Sequence, residues 1–473
     1  MMIKQFEVAG LAQYSYVLSS EGEAVVIDPM RDFDRYTEYV AEQGLAIKYV
    51  TETHIHADFA SGALALAEAT GAELALSSYD QEPYCYSMEH HALRDGDVLQ
   101  IGKLLLVALH TPGHTPEHLS FVLFDQERDA SQPLALFSGD FLFVGSLGRP
   151  DLLGEEAKQK LAHDLYHSLH ERIASLPDGV QVYPGHGAGS LCGSGMSERP
   201  ESTLGYERLS QPLFKLEEDT FAREILASVP PMPSYYPRMK ELNSKGASSV
   251  ADLAGEIALT PARVAALIAD ESVTVVDLRR PEAFGGAHIP GAVNIGEGQN
   301  LSLWAGWMLD PEQKLILVND KGDDEESRRS LARVGLDHIE GFLQKGMAAW
   351  VDAGMEFTRT AQLSTKEVSE RNPDSQILDV RSDKEWAGGH IETAIHIPLG
   401  ELDDRLKELQ EDSHIIAVCG SGYRSSIAAS VLQASGFMKI SSMDGGMTAW
   451  KERRLPLHNR LTHLYPVLHL IAP

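Results

Sequence analysis

The chain has 473 residues, 43% of them hydrophobic, and carries 69 Asp and Glu against 40 Lys and Arg, a formal net charge of -29. Such a length suggests about three domains of ~150 residues, with ample apolar content for packed cores. The acidic balance argues against nucleic acid, whose phosphates need Lys and Arg, and against an anionic membrane surface; spread along the chain, it reads as solubility. Cys85, Cys192 and Cys419 are too few and odd in number for a disulfide framework. Met1 to Val8 hold one lysine and no long apolar stretch. No run approaches the ~20 apolar residues of a spanning helix. The expectation is a reduced, soluble, cytoplasmic protein.

In residues 1–245, short apolar runs predict strands at Ala24–Ile27, Ile47–Val50, Leu104–Leu109, Leu119–Leu123, Leu134–Phe137 and Val180–Tyr183. Helical patterns lie between some of them, at Gly62–Thr70 and Glu156–Ser175. The result is an α/β domain with two sheets. Pro230, Pro231, Pro233 and Pro237 cannot continue a helix, so this stretch reads as a domain tail running into a linker.

His54-Ile55-His56-Ala57-Asp58-Phe59 follows the strand ending near Val50. It spells the metal-binding run H-x-H-x-D-H with phenylalanine in the last ligand place. A full run holds two metal ions; phenylalanine has no lone pair to give, so one ion is expected here. His114, in Thr111-Pro112-Gly113-His114-Thr115, follows Leu109, and Asp140, in Ser138-Gly139-Asp140, follows Phe137. His186, in Tyr183-Pro184-Gly185-His186-Gly187, follows Val182. Each candidate ligand stands past the carboxyl end of a strand, where α/β sheets gather their sites. Arg149 either binds an anionic substrate group with its planar fork or pairs with Asp151. Cys192 either touches a sulfur substrate or is a buried, inert thiol. Cys85, between Tyr84 and Tyr86, reads as structural.

The C-terminal half repeats itself. Asp277-Leu278-Arg279 recurs as Asp379-Val380-Arg381, His288-Ile289 as His390-Ile391, and Gly346-Met347-Ala348-Ala349-Trp350 as Gly446-Met447-Thr448-Ala449-Trp450. An offset of 100 to 102 residues means duplicated domains, since solenoid units run ~20–50 residues. In the second copy, Gln376–Val380 and His414–Val418 read as strands and Ser425–Gln433 as a helix ending near Gly436. Strand–helix alternation predicts a parallel sheet with helices on both faces. Cys419 follows the second strand and leads into Gly420-Ser421-Gly422-Tyr423-Arg424. A free thiol has a pKa of ~8.5. Glycine-rich backbone N–H groups, a helix N-terminus and Arg424 all favour its thiolate, and suit a persulfide or an oxyanion of sulfur. In the first copy Asn319 stands at the cysteine position, followed by Asp320, Asp323, Asp324, Glu325 and Glu326. With no thiol, and carboxylates that repel anions, this copy is read as inactive, a spacer or an assembly interface.

On these residues the first part of the chain resembles the metallo-β-lactamase superfamily, which implies an αββα sandwich over 1–245. The resemblance implies that His54, His114 and Asp140 bind one metal. His56 would complete a zinc site, and Asp58, His186 and the residue at 59 would make a second site. Two histidines and one carboxylate are the facial triad of non-haem Fe(II) oxygenases. Gly148-Arg149-Pro150-Asp151-Leu152 and His186-Gly187-Ala188-Gly189-Ser190-Leu191-Cys192-Gly193 narrow the resemblance to the persulfide dioxygenases. The C-x-x-G-x-R run at Cys419, with its Asp-x-Arg and Gly-His-Ile markers, resembles the rhodanese sulfurtransferases. That implies an active α/β domain at 359–473 and an inactive one at 246–358. Cys419 and Arg424 would be catalytic there, and Gly420, Ser421, Gly422 and Tyr423 would bind substrate. The whole chain thus resembles bacterial persulfide dioxygenase–sulfurtransferase fusions. The resemblance implies one Fe(II) per chain, a thiol persulfide and O2 as substrates, sulfite and free thiol as products, and a homo-oligomer, dimer or tetramer. Cys419 would exchange sulfane sulfur between sulfite, thiosulfate and persulfide in either direction. Two other readings stand beside this one: a zinc-dependent thioester hydrolase of glyoxalase II type, and a non-enzymatic persulfide sensor or scaffold. The carrier thiol, whether glutathione, coenzyme A or bacillithiol, has no signature in the sequence.

Overall fold

A computed structural model describes residues 1–250, 257–322, 324–371 and 373–458. The chain forms two compact units, Met1–Leu253 with Arg328–Asp337, and Ala254–Ser327 with His338–Pro473.

In the first unit, strands β1 to β6 (Met2–Val8, Gln13–Ser20, Glu23–Ile27, Ala46–Thr51, Glu73–Ser77 and His91–Leu93) form one sheet in sequential order. The strands β1, β2 and β3 pair antiparallel, and β3 to β6 run parallel. Parallel neighbours need a crossover, supplied by helices Asp34–Glu42 and Ala63–Thr70. A second six-stranded sheet holds β7 (Val98–Ile101), β8 (Leu104–His110), β9 (Leu119–Asp125) and β10 (Asp129–Gly139). A small hairpin, β11 (Leu142–Phe143) and β12 (Ser146–Leu147), follows, and then β13 (Gln181–Pro184) and β14 (Ser202–Thr203) complete the sheet.

Alternation along the strands sends Tyr16, Leu18, Val25 and Ile27 against Leu106, Phe121, Leu123 and Phe137 between the sheets. The opposite faces, Val17, Val26 and Val50 on one sheet and Val122, Leu136 and Val182 on the other, are covered by helical residues such as Tyr36, Leu66, Leu165 and Phe221. Each such burial contributes about 1.5–3 kcal/mol. The αββα sandwich is as expected. The six runs read as strands are β3, β4, β8, β9, β10 and β13.

The tail is different from its expectation. Pro237 stands in the first turn of helix Tyr236–Lys245, where proline's missing N–H has no partner to lose. The stretch read as running into a linker therefore leads into a helix that buries Tyr236, Met239, Lys240, Asn243 and Ser244.

The second unit holds two five-stranded sheets, parallel throughout. One contains β15 to β19 (Ala258–Leu259, Val273–Asp277, Val293–Asn294, Lys314–Val318 and Ile339–Leu343) in the order β15-β19-β18-β16-β17. The other contains β20 to β24 (Ala361–Leu363, Gln376–Asp379, Ala394–His396, Ile415–Val418 and Ile440–Met443) in the matching order. The shared order is the structural form of the sequence repeat. Its markers hold the fold: Asp277 pairs with Arg279 and Asp379 with Arg381, while His288 stacks on Phe284 and His390 on Trp386.

Candidate metal centre and thiol loop

Strand β4 ends just before His54, β8 before His114, β10 before Asp140 and β13 before His186, so the carboxyl ends of both sheets deliver these side chains to one place. His54, His114 and Asp140 are fully buried, and a ligand atom from each lies within 4.8 Å of the others. His54 Nε2 is 3.8 Å and His114 Nε2 is 3.5 Å from Asp140 Oδ2. Among the described residues, none of the three atoms has a hydrogen-bond partner. A buried polar atom without a partner costs about 1–3 kcal/mol, so three converging on one point fit a cation.

The other atoms of each ligand fix its protonation. Thr53 Oγ1 donates to Asp28 Oδ2 at 2.9 Å, so it accepts from His54 Nδ1 at 3.0 Å. His114 Nδ1 donates to the Arg149 carbonyl at 2.9 Å. Both tautomers leave Nε2 with a lone pair, the form a metal needs. Burial, and then neighbouring histidines, hold the pKa of both imidazoles well below its usual value. Two imidazole nitrogens and one carboxylate suit Fe(II) with open positions, and can also hold zinc.

His56 is not in this group. Its Nε2 bonds Asp28 Oδ1 at 3.0 Å, and its Nδ1 has no partner. A second group brings Asp58, His186 and Cys192 together. Here His186 has both nitrogens engaged, Nε2 with Asp58 Oδ2 at 2.8 Å and Nδ1 with Asp140 Oδ1 at 2.7 Å. Burial alone would lower its pKa; Asp140 and Asp58 override that and raise it well above the usual value. His186 thus spans the two carboxylates, one imidazole nitrogen to each. Phe59, fully buried, packs its ring 4.3 Å from that of His56. Cys192 is buried, with Sγ 4.0 Å from the Tyr236 hydroxyl; burial, then Asp58 and Asp140, push its thiol pKa well up. Of the two readings of Arg149, the ion pair is realised. Its Nε and one terminal nitrogen grip Asp151 at 2.7 and 2.8 Å, and its other terminal nitrogen donates to the Leu191 carbonyl at 3.0 Å. That fork is therefore committed within the protein.

Sequence reasoning missed the groups that hold the metal loop. Asp28 binds the Thr53 N–H at 2.6 Å as well as His56, and Glu117 accepts from the Ile55 N–H at 3.0 Å. Helix Tyr236–Lys245 caps the loop's carbonyls. Lys240 donates to Ile55 at 2.9 Å, and Asn243 to His56 and Phe59 at 2.8 and 2.7 Å. Tyr235, just ahead of the helix, donates to Asp58 at 3.2 Å. The available signal was Lys240 and Asn243 on the same face as Tyr236 and Met239, polar groups on an otherwise apolar stripe. Within the same unit, the Ala60 N–H donates to the Arg333 carbonyl at 2.7 Å, and Arg333 grips buried Asp32.

In the second copy Cys419 follows β23 and is buried. The Gly422 N–H donates to its sulfur at 3.1 Å, and the thiol lies 3.5 Å from Ser425 Oγ. Gly422 has φ +115°, a left-handed turn that favours glycine. Ser421 is exposed at the mouth, with Gly420 and Gly422 half-buried beside it. Arg424, expected to be catalytic, and Tyr423, expected to bind substrate, both make bonds within the protein. Arg424 forks onto Glu385 with two bonds of 2.7 Å, and the Tyr423 hydroxyl donates to the Gly296 carbonyl at 2.8 Å. In the first copy, Asn319 Oδ1 accepts from the Gly322 N–H at 2.7 Å, the role that sulfur plays in the second.

The Metallo-beta-lactamase superfamily model matches residues 8–186, and the Rhodanese-like domain model matches 260–353 and 364–453. The persulfide dioxygenase ETHE1, mitochondrial, of Bos taurus is 32% identical over 224 residues, 46% of this chain and 82% of that protein. The hydroxyacylglutathione hydrolase of a Polaromonas species is 33% identical over 37% of this chain and 61% of its own length. A crystal structure of a metallo-beta-lactamase from Staphylococcus aureus subsp. aureus COL is 36% identical, with a TM-score of 0.65. It covers 73% of this chain, which in turn covers 99% of it. Among the described residues no helix is long and apolar enough to cross a membrane. The chain belongs to the metallo-beta-lactamase superfamily, as a homologue of the persulfide dioxygenases whose lactamase-type domain is followed by two rhodanese-like domains.

Proposed function

We propose that this protein is a mononuclear Fe(II) persulfide dioxygenase joined to a rhodanese sulfurtransferase, with domains at 1–245, 246–358 and 359–473. The observation that carries the reading is the buried triad of unpartnered atoms on His54, His114 and Asp140, beside a second site closed by Phe59 and the His186 bridge. Kinship with the persulfide dioxygenases supports iron and a thiol persulfide over the zinc chemistry of the hydrolase relatives.

His54, His114 and Asp140 would hold one metal, and such a triad would leave coordination open to the persulfide and O2. When bound, Fe(II) supplies the redox chemistry that joins O2 to sulfur. The protein's own groups do the rest. Thr53 and the Arg149 carbonyl keep both imidazole nitrogens aimed and deprotonated, and His186 holds its proton between Asp58 and Asp140. The net reaction is RSSH + O2 + H2O → RSH + SO3²⁻ + 2H⁺. At the second site, Cys419 as a persulfide passes its outer sulfur to sulfite: Cys-S-S⁻ + SO3²⁻ → Cys-S⁻ + S2O3²⁻. The S–S bond to cysteine breaks as the S–S bond of thiosulfate forms, and the reverse reaction loads Cys419 from thiosulfate. Gly420, Ser421 and Gly422 offer the exposed loop for the oxyanion. The test is the metal content of anaerobically purified protein together with oxygen uptake on adding glutathione persulfide. The expected result is about one iron per chain, the number one triad can hold, with prompt uptake. Zinc without uptake, and cleavage of a glutathione thioester, would overturn the dioxygenase and establish the hydrolase.

A further inference from the structure

We infer that the copy without a thiol is a positioning element of the sulfurtransferase site: Asn294 and the Gly296 carbonyl grip Ser426, Ser430 and Tyr423, and so fix the loop that carries Cys419. The inference rests on the reading of Cys419 as the sulfur-transferring thiol. Both copies lie in one compact unit.

Helix Tyr423–Ala434 continues directly from the cysteine loop, and every residue from Ser425 to Leu432 is buried. A helix buried all round is packed on more than one side. On one side is its own sheet, where Ser442 donates to Ser425 Oγ at 2.9 Å. On another is β17 of the thiol-less copy. Ser426 Oγ donates to Asn294 Oδ1 at 2.5 Å, and the Asn294 N–H donates to Ser430 Oγ at 3.0 Å. Ser426 and Ser430 are one turn apart on a single face, so one residue holds the helix at two points. The Asn294 amide is itself pinned, its Nδ2 donating to the Asp277 and Arg279 carbonyls at 2.9 Å each. Two residues on, the Gly296 carbonyl takes the Tyr423 hydroxyl at 2.8 Å. A Cβ at Gly296 would sit 3.3 Å from the Tyr423 ring, so glycine there allows this approach.

The path to sulfur is short. Ser425, which faces Cys419 Sγ at 3.5 Å, lies between the two gripped residues Tyr423 and Ser426. Gly422, which donates to the sulfur at 3.1 Å, directly precedes Tyr423. A small shift of the helix start therefore moves both groups that touch the thiol. This gives the inactive copy a task that needs no thiol of its own.

The test uses the full chain carrying Tyr423→Phe, Ser426→Ala and both together. Thiosulfate–cyanide sulfurtransfer, alkylation of Cys419 by iodoacetamide read on its peptide, thermal unfolding and persulfide-dependent oxygen uptake are measured on each. The expected result for the double variant is a kcat about tenfold lower with KM for thiosulfate within about twofold, since misplacing a reacting group acts on the reaction step. The alkylation rate of Cys419 should change with it, while oxygen uptake stays at wild type and the unfolding midpoint, lowered by the lost buried bonds, stays above the assay temperature. Unchanged sulfurtransfer and alkylation would overturn the inference. So would a loss confined to temperatures at which the variant unfolds, which marks a structural role. A wild-type chain that cannot take sulfur from thiosulfate would instead fail the reading of Cys419, and this inference with it.

Discussion

Cys419 and Asn319 occupy the same place in two copies of one fold, and each accepts a hydrogen bond from the backbone N–H three residues on. The amide oxygen preserves the turn while removing the nucleophile. The loop around Asn319 also carries five carboxylates, so restoring a thiol should not restore chemistry. A Cys419→Ser, Asn319→Cys double variant is expected to show no sulfurtransfer from thiosulfate; activity comparable to wild type would show that the carboxylates do not matter. At the metal, a Cβ on Gly185 would lie 2.5 Å from Asp140 Oδ1. Gly185→Ala should therefore displace that carboxylate and lower bound metal about tenfold, a typical effect of disturbing ligand support, measured by elemental analysis. The Glu385–Arg424 pair makes a pH-dependent contribution to stability. Burial opposes ionisation of Glu385, but Arg424 and the Ser382 cap outweigh it and hold its pKa at about 2. An unfolded glutamate titrates near ~4.3. The folded value is the lower one, so the pair's stabilisation is full above ~4.3 and is lost as pH falls toward 2. In urea titrations, Glu385→Gln should differ most from wild type at neutral pH and converge with it over that acid window.

Helix Tyr236–Lys245 shows how one element can govern a site to which it gives no ligand. Its Asn243 amide satisfies the His56 and Phe59 carbonyls and accepts from the Ser61 N–H at 2.8 Å. Asn243→Ala would leave those buried groups unpaired and should lower unfolding free energy by about 3 kcal/mol, read by chemical denaturation of the metal-free protein. Metal affinity should fall as well, because the loop between His54 and Phe59 would no longer be held. Lys240 adds a buried ammonium 3.7 Å from Glu117, its pKa lowered by burial. Pro230, Pro231 and Pro233 precede this helix and Pro237 stands in its first turn, which is why the composition of that stretch resembles a linker.

At the scale of the whole molecule, the proposed oxygenation and the proposed sulfur transfer rest on separate residues of one chain. Asp140→Ala should abolish persulfide-dependent oxygen uptake and leave thiosulfate–cyanide sulfurtransfer intact, whereas Cys419→Ser should do the reverse. Loss of oxygen uptake in the Cys419→Ser protein would favour a sensor in which that thiol controls the rest. Tethering would raise the effective concentration of one proposed site's product at the other without any new contact. The formal net charge of -29 disfavours nucleic acid and anionic lipid as partners.

The candidate metal triad, the cysteine loop and the duplicated copies could be read in the sequence because each is local. A ligand stands in a short polar segment just past an apolar strand, and Cys419 stands in a glycine-rich turn before a helix. These signals span a few residues and depend on backbone geometry that composition dictates. Tertiary structure alone decided what those groups do with their remaining atoms. His186 bonds Asp58, which lies 128 positions away, and Lys240 and Asn243 meet the loop between His54 and Phe59 across 184 to 187 positions. Arg149, read in the sequence as a binder or as a brace, pairs its fork with Asp151. A hydrogen bond is specified by distance and direction in space, and no pattern along the chain encodes either for partners so far apart.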